Sequence, residues 1–404
     1  MTTVIKNNNK IRVGIIFGGK SMEHEISLMS ATSVINAIDK EKFEIVPIGI
    51  NKEGQWVKYN GPIELIESGK WEDFARIENA RAESKRNEQS KLNKGQVELK
   101  ASDNSLKSGK ELKQEVKPEA KAVLGYKGRS LLDEIDVVFP VLHGPFGEDG
   151  TIQGLFEMIN IPYAGCGVLA SSLAMDKALS KEIFARAGLP ICKHLLVFKE
   201  EIADNLEAVI SRIQSELTFP LFIKPSNMGS SVGISKVDKN EDESKTLQDL
   251  RKALIEAVKH DRRILVEEGI SARELEVGII GNYKAESSVV GEIIPSKEFY
   301  DYEAKYFDGG KSKMSIPADI PEQVAKEIRE LAIKAYKAID GSGFARIDFF
   351  LDKNNGKIYI NEINTIPGFT KFSMFPSLWQ NTGVAYKEAI ERIIELAIER
   401  QASK

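Results

Sequence analysis

The residues richest in chemistry lie near the carboxyl end, in the run Asn-Glu-Ile-Asn-Thr-Ile-Pro-Gly-Phe-Thr-Lys-Phe-Ser over 361–373. Glu362 stands two residues before Asn364, and in a β-strand residues i and i+2 project from one face. A carboxylate and an amide at that spacing suit Mg2+, a hard cation that takes oxygen ligands and keeps water and phosphate oxygens around it. Pro367-Gly368 then breaks the strand and lets the backbone approach a ligand closely. Residues 343–351 read as a second strand that carries Arg346 and Asp348, again at i and i+2. Residues 352–356 between the two strands are a hairpin signal. A three-residue loop over 354–356, with Gly356 left-handed, would set Asp348 opposite Glu362 and Arg346 opposite Asn364. Two carboxylates that close repel each other, so a cation is expected between them. The competing reading is a solvated hairpin face with one salt bridge.

A second set has the makings of a phosphate site. Lys224 ends a short β run over 219–224, and the small-residue loop 226–233, with Ser230 and Ser231, follows it. Backbone N–H groups of such a loop converge on phosphate oxygens. Neither a Walker A pattern nor a GxGxxG fingerprint is present. The alternative is a flexible turn with a surface lysine. Lys177, in the helical Met-Asp-Lys of 175–177, offers another cation. The strand 264–268 ends in Glu267 and Glu268. The first could accept from an adenine amino group and Glu274 could hold ribose hydroxyls; solvated strand-end acids are the plainer alternative. Nearer the amino end, Glu23 opens a helix, where the dipole favours an acid; its functional reading is an anchor for a substrate ammonium. His143 sits at a strand end in the glycine-rich run 143–150, where active-site groups of open α/β sheets gather.

The elements that must position these groups change character along the chain. Residues 11–17 and 42–50 read as buried strands, 26–38 as a helix between them, and 131–142 as another strand. That alternation implies a parallel α/β sheet. From about 168 the pattern is α+β: one helix over 171–188, a turn and strand over 229–237, antiparallel strands over 274–280 and 289–294, and amphipathic helices over 322–339 and 384–402. Residues 78–122 are polar, without clear hydrophobic period, and read as a surface insertion.

Composition narrows the partners. The chain has 404 residues, enough for two or three domains, with 42% hydrophobic and 29% charged residues. A net charge of −4 gives no general attraction to nucleic acid or anionic membrane. Cys166 and Cys192 have no metal-ligand spacing and imply no disulfide framework. No run has signal-peptide or membrane-span length, so a cytoplasmic location is expected.

The string His-Gly-Pro-Phe-Gly-Glu-Asp-Gly-Thr-Ile-Gln-Gly over 143–154 resembles the signature of D-alanine:D-alanine ligases of the ATP-grasp superfamily. Residues 18–27, 175–177, 224–233, 300–306, 346–348 and 362–373 match the same family in order and approximate spacing. The resemblance covers nearly all of the chain outside the first ten residues and the insertion. It implies three domains: an N-terminal parallel α/β domain over 1–166, and ATP-grasp domains over 167–268 and 269–404 that clamp ATP. It implies ATP-dependent joining of two D-alanines through an acyl phosphate, for peptidoglycan precursors, with Mg2+ (two ions, Mn2+ as substitute) and a homodimeric assembly. Lys177, Lys224 and Lys305 would then neutralise phosphates, beside Ser231 of the loop. Glu267, Glu268 and the backbone at Ile270 would read adenine, with Glu274 on ribose. Asp348, Glu362 and Asn364 would hold the metals. Arg346 and the Gly368 N–H would stabilise the tetrahedral oxyanion. Glu23 would hold the first ammonium with His143 nearby, and Ser373 the second carboxylate. A mobile lid over 295–319 would carry Tyr306, bonded to Ser230 and to Glu23. A tyrosine there favours D-alanine over D-lactate, so Tyr306→Phe should shift product toward the depsipeptide. D-Alanine:D-lactate and D-alanine:D-serine ligases are the alternatives.

Overall fold

The computed structural model describes residues 10–78, 80–81, 132, 134–229, 232–294 and 313–404. Ser230, Ser231, Lys305, Tyr306, most of the expected lid and most of the insertion lie outside the described residues.

The amino-terminal strands form the parallel sheet expected of them. Strands β1 (Ile11–Gly18), β2 (Phe43–Ile50), β3 (Trp56–Lys58) and β4 (Val137–Val141) lie in the order β3-β2-β1-β4. β1 runs parallel to β2 and to β4, and β3 adds an antiparallel edge. Six consecutive residues of β1 are buried, as befits a strand covered on both faces. The strand expected over 131–142 begins only at Val137. Before it, a turn closes from Ile135 N–H to Leu132 O, and Asp136 pairs with Arg12.

The helix expected over 171–188 is two helices, Val168–Met175 and Lys177–Arg186. Asp176 between them has extended backbone, and its carboxylate accepts from Leu179 N–H at 3.0 Å. That is the N-cap geometry acidic side chains favour, and it breaks the helix one residue before Lys177.

Strands β5 (His194–Phe198), β6 (Leu221–Pro225), β7 (Ser235–Val237) and β8 (Arg263–Glu268) form an antiparallel sheet in the order β5-β8-β6-β7. Helices Lys199–Glu216 and Glu243–Ala257, unmarked in the sequence reading, supply its core with Ile210, Ile213, Leu250 and Leu254. A third sheet has the order β11-β10-β9-β12-β13: β9 (Ala272–Ile280), β10 (Glu286–Ile294), β11 (Lys313–Ser315), β12 (Phe344–Asp352) and β13 (Ile358–Asn364).

Packing sets where these sheets meet. Helix Glu322–Ala338 lays Ile328, Ala332, Ala335 and Tyr336 on the third sheet, a one-sided apolar stripe. Ala170, Ala174, Phe184 and Leu189 share that core, although the sequence reading grouped them with the central unit. The last helix, Tyr386–Ala402, shares its core with the first sheet through Ile390, Ile393, Ile394 and Ala397. Phe139 of β4 lies 6.2 Å from the ring of Phe344 and 5.6 Å from Phe369. Arg400 bonds Gly165 O, Tyr163 O at 3.0 Å and Ser342 Oγ at 2.9 Å. The amino-terminal sheet is thereby fixed to the segment that carries the 361–373 run. Among the described residues no helix is long and apolar enough to cross a membrane.

Candidate active site

The β12–β13 hairpin places Asp348 opposite Glu362 and Arg346 opposite Asn364. It reaches that register by an unexpected route. Near the turn Leu351 pairs with Ile358, and Asp352 N–H bonds Lys357 O, so the loop holds four residues instead of three. Phe349 then pairs with Ile360 while Asp348 pairs with Glu362, which leaves Asn361 as an extra residue. This β-bulge cancels the one-residue offset of the loop. Gly356 has φ +69°, the left-handed conformation its position requires.

Four side chains gather on this hairpin. Arg346 donates from Nε to Asp348 Oδ1 and from Nη2 to Asp348 Oδ2, each at 2.7 Å, and Asn364 Nδ2 donates to Asp348 Oδ2 at 3.0 Å. Glu276 of β9, the partner of Asp348 on the other side, brings an oxygen to 2.8 Å from Arg346 Nε. Burial works against the Arg346 charge, yet Asp348 and Glu276 outweigh it and push its pKa above the usual value. Glu274 follows the same face of β9, two residues before Glu276. Among the described residues no three His, Cys, Asp or Glu side chains form a cage. Two carboxylates and an amide nonetheless fit a Mg2+ that fills its remaining positions with phosphate oxygens and water.

The lysines approach from the other side. Lys177 is the first residue of its helix; its Nζ donates to Met228 O at 2.6 Å and lies 3.8 Å from Glu362 Oε2. It joins the small-residue loop to the metal-suited strand. Asp176 anchors that loop: it accepts from Ser226 Oγ at 2.7 Å and Asn227 Nδ2 at 2.9 Å, and it pairs with Arg263. Lys224 is buried and donates to Glu267 Oε2 at 2.6 Å. Glu267 Oε1 lies 2.5 Å from Lys181 Nζ. Burial alone would push the Glu267 carboxyl up, but the two lysines hold it down at about 2. The Glu267 side chain, expected to read adenine, is thus committed to two lysines; a carboxylate with four lone-pair sites keeps acceptor capacity beyond them. Glu268 accepts from Thr218 N–H at 2.8 Å, and Ile270 lies in the β8–β9 connection.

Acids dominate the third approach. Glu23 is buried at the N-cap of helix His24–Ala37. A Cβ on Gly144 would stand 2.5 Å from Glu23 Oε2, and one on Gly229 3.3 Å from it. The Glu23 carboxylate therefore lies between the 143–150 loop and the phosphate-type loop. Glu148 accepts from Gly144 N–H at 2.8 Å and Ile366 N–H at 3.1 Å, joining the same loop to the 361–373 run. Its carboxyl is deeply set though partly accessible, and burial together with Glu23 pushes it up to about 8. His143 spends both ring nitrogens, Nδ1 on Ile366 O at 3.0 Å and Nε2 on Ser30 Oγ at 3.2 Å. Burial disfavours its charged form, and its two bonds brace the Ile366 turn. Ser373 caps helix Met374–Asn381 without a side-chain bond to that helix, and its Oγ is 3.1 Å from where a Gly368 Cβ would be.

Arg346, Asp348, Glu362 and Asn364 meet on the hairpin with Lys177 beside them, and Glu148 ties the 143–150 loop to the segment after β13, whereas Glu274 and Ile270 lie toward the hairpin turn. Glu148, Asp176, Lys181 and Glu276 were not singled out from the sequence. Glu148 and Asp176 lie inside the motifs already quoted, whereas Lys181 and Glu276 gain meaning only from partners distant in the chain.

Known proteins resemble this chain over nearly its whole length. A family described as D-ala D-ala ligase N-terminus matches residues 12–166, and one described as D-ala D-ala ligase C-terminus matches residues 183–395. The D-alanine–D-alanine ligase of Acetivibrio thermocellus is 48% identical over 393 residues, covering 97% of each chain. That of Geobacillus thermodenitrificans is 47% identical over 395 residues, covering 98% of this chain and 97% of the other. Among solved structures, the VanG D-Ala:D-Ser ligase from Enterococcus faecalis matches with TM-score 0.74 and 34% identity, over 96% of this chain and all of that one. The D-alanine–D-alanine ligase from Coxiella burnetii matches with TM-score 0.72 and 31% identity, over 98% and 95%. The chain belongs to the D-alanine–D-alanine ligase family.

Proposed function

We propose that this family member joins two D-alanine molecules to D-alanyl-D-alanine in the cytoplasm, for peptidoglycan precursors, with cleavage of ATP to ADP and phosphate. The observation that carries the reading is the hairpin quartet Arg346, Asp348, Glu362 and Asn364, met at 3.8 Å by Lys177 from the phosphate side. The first D-alanine carboxylate takes the γ-phosphoryl group. The second D-alanine amine then attacks the acyl carbon, and phosphate leaves from the tetrahedral intermediate. Asp348, Glu362 and Asn364 would hold the two Mg2+ ions, which would offset charge on the transferred phosphoryl group.

The chain's own groups divide the remaining work. Lys177 and Lys224, with Lys305 and Ser231, hold the phosphates. Glu267, Glu268 and the Ile270 backbone take the adenine, and Glu274 the ribose. The Glu23 carboxylate receives the first ammonium. Arg346 and the Gly368 N–H face the oxyanion. Ser373, at the N-terminus of helix Met374–Asn381, takes the second carboxylate. Tyr306 and Ser230 close the site against water, which would hydrolyse the acyl phosphate. We read the units 1–166, 167–268 and 269–404 as the three domains that bring these groups together.

Product analysis with ATP, Mg2+ and D-alanine, alone and with D-serine or D-lactate, tests the reading. D-Alanyl-D-alanine with ADP and phosphate, persisting under competition, is the expected result. A mixed D-serine dipeptide or a depsipeptide as main product would move the second-substrate assignment, and no ATP turnover would overturn the function.

A further inference from the structure

The mechanism above leaves one buried cation unused. Lys181 lies one helical turn beyond Lys177 and is 1% exposed. A lysine is seldom so enclosed unless it is paired, and this one has two partners. Its Nζ is 2.5 Å from Glu267 Oε1 and donates to Asn361 O at 3.3 Å. Each partner governs a group of the proposed site. Glu267 holds Lys224 through its other oxygen, at 2.6 Å. Asn361 is the bulge residue whose insertion restores the register of Glu362 against Asp348.

We infer that Lys181 is a positioning residue of the nucleotide site: it occupies one oxygen of Glu267, so that Lys224 keeps charge to offer a phosphate, and it pins the bulge that aims Glu362. Charge counting states the first part plainly. Lys181, Glu267 and Lys224 together carry one net positive charge. Without Lys181 the pair Glu267–Lys224 is neutral, and both carboxylate oxygens are left to one ammonium. The lysine that should meet an anion would be neutralised before the anion arrives. The second part follows from geometry: a bulge is an unpaired step in the ladder, and its carbonyl needs an outside donor to hold one orientation.

This inference rests on the ATP-dependent reading, so the test begins with binding. Calorimetry with ADP and Mg2+ on the full chain gives the baseline; a wild-type chain that binds no ADP would sink the functional reading itself and this inference with it. With binding established, Lys181→Met should weaken ADP by about tenfold or more, the size seen when supporting contacts behind a metal site are lost. The D-alanine KM should move less than about twofold on the same scale. Lys181→Arg keeps the charge and should recover most of the affinity. The double variant Lys181→Met/Glu267→Gln returns the cluster to one net positive charge on Lys224. It should therefore bind ADP more tightly than Lys181→Met alone, an outcome that a lysine needed only for folding would not produce. ADP affinity unchanged in Lys181→Met, or no better in Lys181→Arg than in Lys181→Met, overturns the inference. Should Lys181→Met fail to fold, Lys181→Gln, which removes the charge but keeps a donor for Asn361 O, takes its place with the same expected loss of ADP affinity and the same overturning result.

Discussion

Two deeply set glutamates in this protein have been driven in opposite directions. Glu267 sits between Lys181 and Lys224 and its pKa is held down at about 2. Glu148 sits beside Glu23 and is pushed up to about 8, although Gly144 and Ile366 N–H groups favour its charged form. Burial acts the same way on both, so the difference is the sign of the neighbours. One carboxylate stands among cations and the other beside an anion. Each setting suits the proposed visitor: a polyphosphate on the lysine side, an ammonium on the acid side.

Neutralising each glutamate in turn is the strongest way to break that contrast. Glu267→Gln would leave two buried lysines without their counter-ion and should cost about 3–5 kcal/mol of stability, the usual penalty for uncompensated buried charge. Glu148→Gln removes a carboxylate that is protonated for the most part near neutrality. Its cost should be the loss of one backbone acceptor, about 1–2 kcal/mol. Urea denaturation of the two variants measures both. Equal losses would mean that the two sites do not differ in charge.

The pH dependence of stability sharpens the same contrast. Glu148 keeps its proton up to about 8 in the folded chain but only to its ordinary 4.5 when unfolded. Between those values the folded chain binds more protons, so stability should fall as pH rises, by at most about 1.4 kcal/mol per pH unit. Glu267 works in the opposite sense: its contribution is complete above 4.5 and is lost as pH falls toward 2. Denaturation of the wild type and Glu148→Gln from pH 5 to 8 should show the decline only in the former. Saturating D-alanine should flatten it as well, because a nearby ammonium favours the carboxylate.

What the sequence made legible follows from how local each relation is. The facing pairs of the hairpin could be read because side chains in a strand repeat every two residues. The loop was read one residue short, and the pairing still came out as expected because the Asn361 bulge absorbs the difference. Asp176 carries a local signal, an acid able to cap the helix that starts at Lys177. Glu276 and Lys181 could not be recognised locally. Glu276 matters because β9 lies beside β12, and Lys181 because β8 ends against its helix. Neither adjacency has a signature in the few residues around it. The helices at 199–216 and 243–257 hold none of the motif residues and serve the core of the second sheet.

The finest test concerns the two glycines on either side of Glu23. Gly144 has φ +71°, and a Cβ there would stand 2.5 Å from Glu23 Oε2. Gly144→Ala must therefore strain the backbone and displace the carboxylate, an effect of roughly 1–2 kcal/mol. A Cβ on Gly229 would stand 3.3 Å from the same oxygen, a distance that a shift of a few tenths of an ångström relieves. If Glu23 receives the ammonium, the D-alanine KM should rise about tenfold in Gly144→Ala, the equivalent of about 1.4 kcal/mol, and less than about threefold in Gly229→Ala. ADP affinity should hold in Gly144→Ala, whose new methyl lies on the acid side of the site. A loss of ADP binding with an unchanged D-alanine KM would reverse the roles of the two clusters, and the opposite pKa shifts of Glu148 and Glu267 would then need another cause.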